Sequence, residues 1–139
     1  MCADVQASVR SARPLVSILL IAYNQRELVG QAIAGALAQT YSPLEILISD
    51  DASGDGTFEA IQSAVAGYAG PHRVVLNRNE ANVGIGAHLS RLAAMSKGEL
   101  LFVAAGDDIS LPQRCDVVFD AFRQLRKVVI GEPQRLHPT

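Results

Sequence analysis

Three largely apolar runs, Leu15–Ala22 (LVSILLIA), Leu44–Ser49 (LEILIS) and Leu100–Val103 (LLFV), constrain the fold of this chain more than any other feature. Strands without sustained polar alternation are covered on both faces, as they are inside a parallel sheet sandwiched by helices. Arg73–Leu76 reads as a short fourth strand. The intervening segments have helical periodicity. Val29, Ala32, Ile33, Ala36 and Leu37 make one buried stripe in a helix that starts from an Asn24 cap, with Glu27 completing a capping box, and runs to about Gln39. Phe58, Ile61, Val65 and Tyr68 line a second helix from about Thr57, and Leu89, Leu92, Ala93 and Met95 turn inward on a third, Gly86–Ser96. A capping box at Ser110–Gln113, with Pro112 near the first turn, opens a fourth whose apolar face is Val118, Ala121, Phe122 and Leu125.

Strand and helix thus alternate four times. The expected fold class is α/β: a three-layer α/β/α unit with a mostly parallel, Rossmann-like sheet and right-handed crossovers. The domain spans residues 14–126. Residues 1–13 are polar and unpatterned, and 127–139 form a loose C-terminal tail in which Val128–Ile130 could supply a last short strand.

Composition narrows the function classes. Twelve basic against 14 acidic residues, a net charge of −2, argue against a nucleic-acid binder working through a broad basic face. Cys2 and Cys115 lack metal-ligand spacing and suit reduced thiols of a cytosolic protein, Cys115 as a small buried helix residue. The first 14 residues lack the apolar core of a signal peptide, and no apolar run reaches the roughly 20 residues of a transmembrane segment. A cytoplasmic location is expected.

The polar loops all come after strands. Tyr23 and Asn24, Asp50–Gly56 (DDASGDG), Asn77–Gly84 (NRNEANVG) and Gly106–Asp108 converge on the carboxyl edge of the sheet, where open α/β folds bind ligands. One site built from four strand ends is implied. Asp107 and Asp108, with Gly106 allowing close backbone approach, suit Mg2+ or Mn2+, which is commonly held by one or two carboxylates plus substrate phosphates.

The succession VSILLIAYN, ISDDASGDGT, Asn82–Gly84 and GELLFVAAGDDISLPQR resembles the nucleotide-sugar-binding half of a family 2 glycosyltransferase with the GT-A fold, over roughly Val16–Phe122. The resemblance implies a donor-binding domain for a nucleoside diphosphate sugar, UDP-linked in the commonest case, which passes its sugar to an acceptor hydroxyl with the help of a divalent metal. It implies nucleotide contacts from Tyr23, Asn24, Asp50, Asp51, Asn82, Gly84 and Asp107. Asp50 would accept a hydrogen bond from an N–H of the base, a task suited to an acceptor-only carboxylate. Asp51 and Ser53 would shape the loop, and Asp55 and Thr57 would cap the next helix. Asp107 and Asp108 match the end of the family's metal-binding D-x-D signature.

The departures are specific. Ala105 stands where the family usually carries Asp, so the signature reads A-G-D. Leu89 and Ser90 occupy the positions of a common Arg-Asn pair; Arg78 and His88 are substitutes in principle, but each reads first as a solvated residue. The family's second half, with its acceptor site and catalytic base, has no counterpart in these residues, which leaves the catalytic residue unassigned. The alternative reading is therefore a catalytically inactive nucleotide-binding module, or a truncated fragment, that binds without turnover. A receiver domain fits the alternation but not the placement of the acids, and a nucleotidyltransferase lacks its glycine-rich basic loop after the first strand. A half-domain would leave part of its sheet uncovered, so homo-oligomerisation is expected.

Overall fold

The computed structural model describes residues 13–126, in which strand and helix alternate: β1 Val16–Ala22, α1 Val29–Leu37, β2 Leu44–Asp50, α2 Thr57–Val65, β3 Arg73–Arg78, α3 Ile85–Met95, β4 Leu100–Ala105 and α4 Arg114–Arg126. The strands form one parallel sheet in the order β3-β2-β1-β4. β1 pairs with β2 from Val16 opposite Leu44 to Ala22 opposite Asp50, and with β4 from Val16 opposite Leu100 to Ile21 opposite Ala105. The chain winds outward from β1 to β3 and then returns to the other side of β1. That reversal makes the carboxyl ends of β1 and β4 a topological switch point, where such sheets leave a crevice.

The three layers are present. One face of the sheet, with Ile18, Leu20, Ile46, Ile48 and Phe102, packs under α1, under Ile61 of α2 and under Cys115 and Phe119 of α4. On the other face Leu19, Ile21 and Leu47 meet Leu92 of α3. Every residue of β1 and β2 is buried, as their unbroken apolar character requires.

Four expectations need correction. β4 is covered on one face only: Phe102 and Ala104 are buried, whereas Leu101 and Val103 are 43% and 49% exposed. α3 packs across β1, which leaves the corresponding face of the outer strand open. The buried stripe of α4 is Cys115 and Phe119, while Val118, Ala121 and Phe122 are exposed. The rotation comes from docking, because Phe119 meets Tyr41 edge-on at 5.3 Å and Asp116 pairs with Arg13 at 2.7 Å. Neither predicted capping box forms. α1 begins at Val29, with the Leu28 and Val29 N–H groups donating to the Gln25 carbonyl. The start of α4 is held by Gln39, whose Oε1 accepts from the Cys115 N–H at 2.9 Å while its Nε2 donates to the Leu111 carbonyl at 2.7 Å. Met95 is exposed at the end of α3. Cys2, Val128–Ile130 and the Leu125 side chain lie outside the described residues. Among the described residues no helix is long and apolar enough to cross a membrane.

Candidate functional site

A pocket of about 350 Å³ opens at the switch point. β1 and the turn after it supply Ile21, Ala22, Tyr23 and Gln25, β4 supplies Ala105, and α3 with the loop before it supplies Asn82, Gly84, Ile85 and His88. Asp51, from the end of β2, completes the wall. The walls are mainly apolar, with Asp51, Asn82 and His88 on the side of β2 and α3 and Tyr23 and Gln25 from the turn after β1.

The loop after β2 turns both of its leading carboxylates inward, helped by Ala52 at φ 62°, a left-handed conformation that costs a non-glycine residue about 1 kcal/mol. Asp50 is fully buried and spends its oxygens on its own turn, accepting from the Ser53 N–H at 3.0 Å and from the Ser53 hydroxyl. Ser53 Oγ in turn accepts from the Asn24 N–H at 2.8 Å, and Asn24 Oδ1 accepts from the Gly54 N–H at 3.2 Å. Asn24 therefore ties two loops together at φ 51° instead of capping a helix. Asp55 accepts from the Thr57 N–H at 3.0 Å and caps α2 as expected.

Asp51 braces the turn that leads into α3. Its carboxylate accepts from the Val83 and Gly84 N–H groups and from Asn79 Nδ2, each at 2.9 Å. Gly84 is the N-cap of α3, at φ 86°. Burial pushes the Asp51 carboxyl up, but donation from Asn79, Val83 and Gly84 outweighs it and holds the pKa below the ordinary value. Asn82 Nδ2 donates to the Asp51 carbonyl at 3.2 Å.

His88 is not solvated: it is 1% exposed, and its Nε2 lies 2.6 Å from Ser49 Oγ. Burial depresses its pKa, although Asp51 and Asp50 pull the other way. Arg78 is exposed, with its guanidinium 5.1 Å over Phe58 and its Nε 3.8 Å from Asp50 Oδ2.

After β4 the backbone folds tightly against β1. A Cβ on Gly106 would lie 3.1 Å from that of Ala22, which explains the glycine. Asp108 Oδ2 accepts from the Ala105 N–H at 2.9 Å, and Asp107 is exposed. No cluster of three or more His, Cys, Asp or Glu side chains suited to a metal occurs among the described residues. The donor set fits a hard cation shared with a ligand's phosphates and not an all-protein cage.

Residues 17–135 match the sequence pattern of glycosyl transferase family 2. The chain belongs to this family. The family 2 domain is 31% identical over 103 residues to EpsE of Bacillus subtilis, a glycosyltransferase by assignment only, covering 74% of this chain and 36% of EpsE. Among solved structures it resembles TarS of Staphylococcus aureus in complex with UDP, with a TM-score of 0.68 at 16% identity over 78% of this chain and 32% of that one. It also resembles the Pyrobaculum calidifontis mannosyltransferase PcManGT in complex with GDP-Man and Mn2+, with a TM-score of 0.65 at 23% identity over 70% of this chain and 28% of that one. These likenesses establish the GT-A fold. The chain spans about a third of the length of EpsE and of the TarS 1–349 structure, and somewhat less of PcManGT.

Within the family 2 domain, the residues singled out from sequence divide in two. Tyr23, Asp51, Asn82 and Gly84 meet in the pocket. Asn24 and Asp50 sit behind it as braces, and Asp107 and Asp108 lie beyond its Ala105 wall. His88, Gln25 and Ile85 line it without having been assigned to it. For His88 a signal existed: it falls one turn after Asn82–Gly84, on the helix face shared with Leu92.

Proposed function

We propose that this domain binds the donor of a glycosyltransferase, a nucleoside diphosphate sugar, with the nucleoside in the switch-point pocket and the diphosphate toward Asp107 and Asp108. The sugar then passes to an acceptor hydroxyl in the whole enzyme. One observation carries the reading: four strand ends deliver Tyr23, Asp51, Asn82, Gly84 and Ala105 to a single pocket, with the exposed Asp107 two residues beyond Ala105. A concave, largely apolar site with a few fixed polar groups suits a nucleoside, and half-exposed Tyr23 at the mouth offers an aromatic face to the base. The nucleoside diphosphates held by TarS and PcManGT, and the Mn2+ of the latter, support the same assignment.

Asp107, and Asp108 through the oxygen it keeps free of Ala105, would hold Mg2+ or Mn2+. When bound, such a cation supplies Lewis-acid stabilisation of the charge that develops on the departing diphosphate. The protein's own contribution is placement. Asp51 fixes the Val83–Gly84 turn against the pocket, and Asp50 fixes Ser53 and, through it, Asn24. For Asp50 to accept from the base itself, Ser53 would first have to move. Calorimetric titration of the chain with UDP and with GDP, with and without Mn2+, tests the reading. Binding that Mn2+ strengthens is expected; no binding of either nucleotide would overturn it.

A further inference from the structure

A buried polar chain runs from Asp51 to His88, and the direction of its protons is fixed at the outer end. A carboxylate only accepts, so Asn79 presents Nδ2 to Asp51 and turns Oδ1 inward. That Oδ1 accepts from Arg91 Nη1 at 3.3 Å and from Asn77 Nδ2 at 3.1 Å. Asn77 Nδ2 also donates to Ser49 Oγ at 2.9 Å. Among the described residues the Ser49 hydroxyl proton has no acceptor other than His88 Nε2, 2.6 Å away; donated there, it leaves the ring proton on Nδ1. Burial, which favours the neutral ring, agrees with one proton there. Nδ1 has no hydrogen-bond partner among the described residues. It is not among the sealed, unpartnered side-chain atoms of that set, and the ring it belongs to lines the pocket.

Asp51 sets a negative charge beside the start of α3, where it accepts from the Val83 and Gly84 N–H groups just before the helix. A phosphate placed beside His88 would meet that charge at short range, whereas a neutral acceptor would not. Building on the function proposed above, we infer that His88 Nδ1–H donates to a neutral acceptor atom on the nucleoside part of the ligand and so helps to select it, the phosphates lying elsewhere. His88 is a specificity residue, aligned by Ser49.

The test uses the whole chain and two substitutions. Gln reaches toward Ser49 in place of Nε2 but offers no donor at the Nδ1 position, whereas Asn places its amide nitrogen near Nδ1. In NMR titrations His88→Gln should weaken UDP and uridine alike by about tenfold and leave pyrophosphate with Mn2+ unchanged, while His88→Asn stays within about threefold of the native chain. A loss on pyrophosphate, or no loss on uridine, would overturn the inference while native UDP binding kept the proposed function intact. Failure of the native chain to bind any of these ligands would overturn both. Independently of any ligand or variant, the imidazole 15N shifts of the native chain should report the Nδ1–H tautomer; an Nε2–H tautomer would overturn the inference alone.

Discussion

Asp50-Asp51 and Asp107-Asp108 are the same dipeptide at the ends of two strands of one sheet, and the fold uses them in opposite ways. The first pair is buried, and its oxygens are taken by N–H and hydroxyl groups of the protein itself. The second is exposed and keeps most of its acceptor capacity unspent. The difference lies in the path of the backbone beyond each strand. After β2 the chain doubles back through Ala52 and Ser53 and lies beside the β3–α3 loop, which brings N–H donors onto both carboxylates. After β4 it leaves through Gly106 toward the exposed Ile109 and Leu111, and among the described residues no segment folds over it. Adjacent acids at a strand end are therefore not one motif. One pair builds and braces the pocket, and the other stays exposed.

Substitution should separate the two roles. Asp51→Ala strips the acceptor from Val83, Gly84 and Asn79 at once and should cost about 3 kcal/mol of stability in denaturant melts, with Asp51→Asn intermediate. A loss below about 0.5 kcal/mol would mean that water replaces the carboxylate and that Asp51 is free to serve a ligand. Asp107→Ala should do the reverse. Its stability should stay within about 0.5 kcal/mol of native, while the Mn2+-dependent gain in UDP affinity falls by about tenfold or more. Calorimetry showing an undiminished Mn2+ effect would remove Asp107 from the metal.

The contrast also shows how far a sequence can carry such distinctions. The β1 and β2 runs are legible because a central strand of a parallel sheet is apolar whatever surrounds it. β4 misleads under the same rule, since an outer strand with Leu101 and Val103 in the open has the same residues as a covered one. The phase of α4 depends on Tyr41 and Arg13, and its start depends on Gln39, partners far away in the chain that no local pattern names. That four loops share one edge is a consequence of alternation alone. That Asp50 and Asp51 face inward is not, because it depends on a left-handed Ala52 and on the β3–α3 loop. His88 reads as solvated in the sequence because its polarity outweighs the one cue to its burial, its place on the helix face of Leu92; the partner that receives it, Ser49, lies 39 positions earlier.

Acid provides the gentlest way to probe the buried half of the comparison, because it titrates the two ends of the Asp51–His88 chain at different pH. His88 has a folded pKa below its ordinary 6.5, so the unfolded chain takes up that proton first, and stability should begin to fall as pH drops below about 6.5. Asp51 has a folded pKa below its ordinary 3.8, so its contribution is complete above that value and is lost as pH falls through the folded one. Glu45 and Asp116, also held low, fall in the same acid window. Denaturant midpoints tracked from about pH 7.5 down to about pH 3 should therefore decline in two stages, a shallow one and then a steeper one. His88→Gln should flatten the first and leave the second, and Asp51→Ala should reduce the second by its own share. A first stage that survives in His88→Gln would assign it to another group, and the buried histidine would no longer be the neutral end of the chain that Asp51 begins.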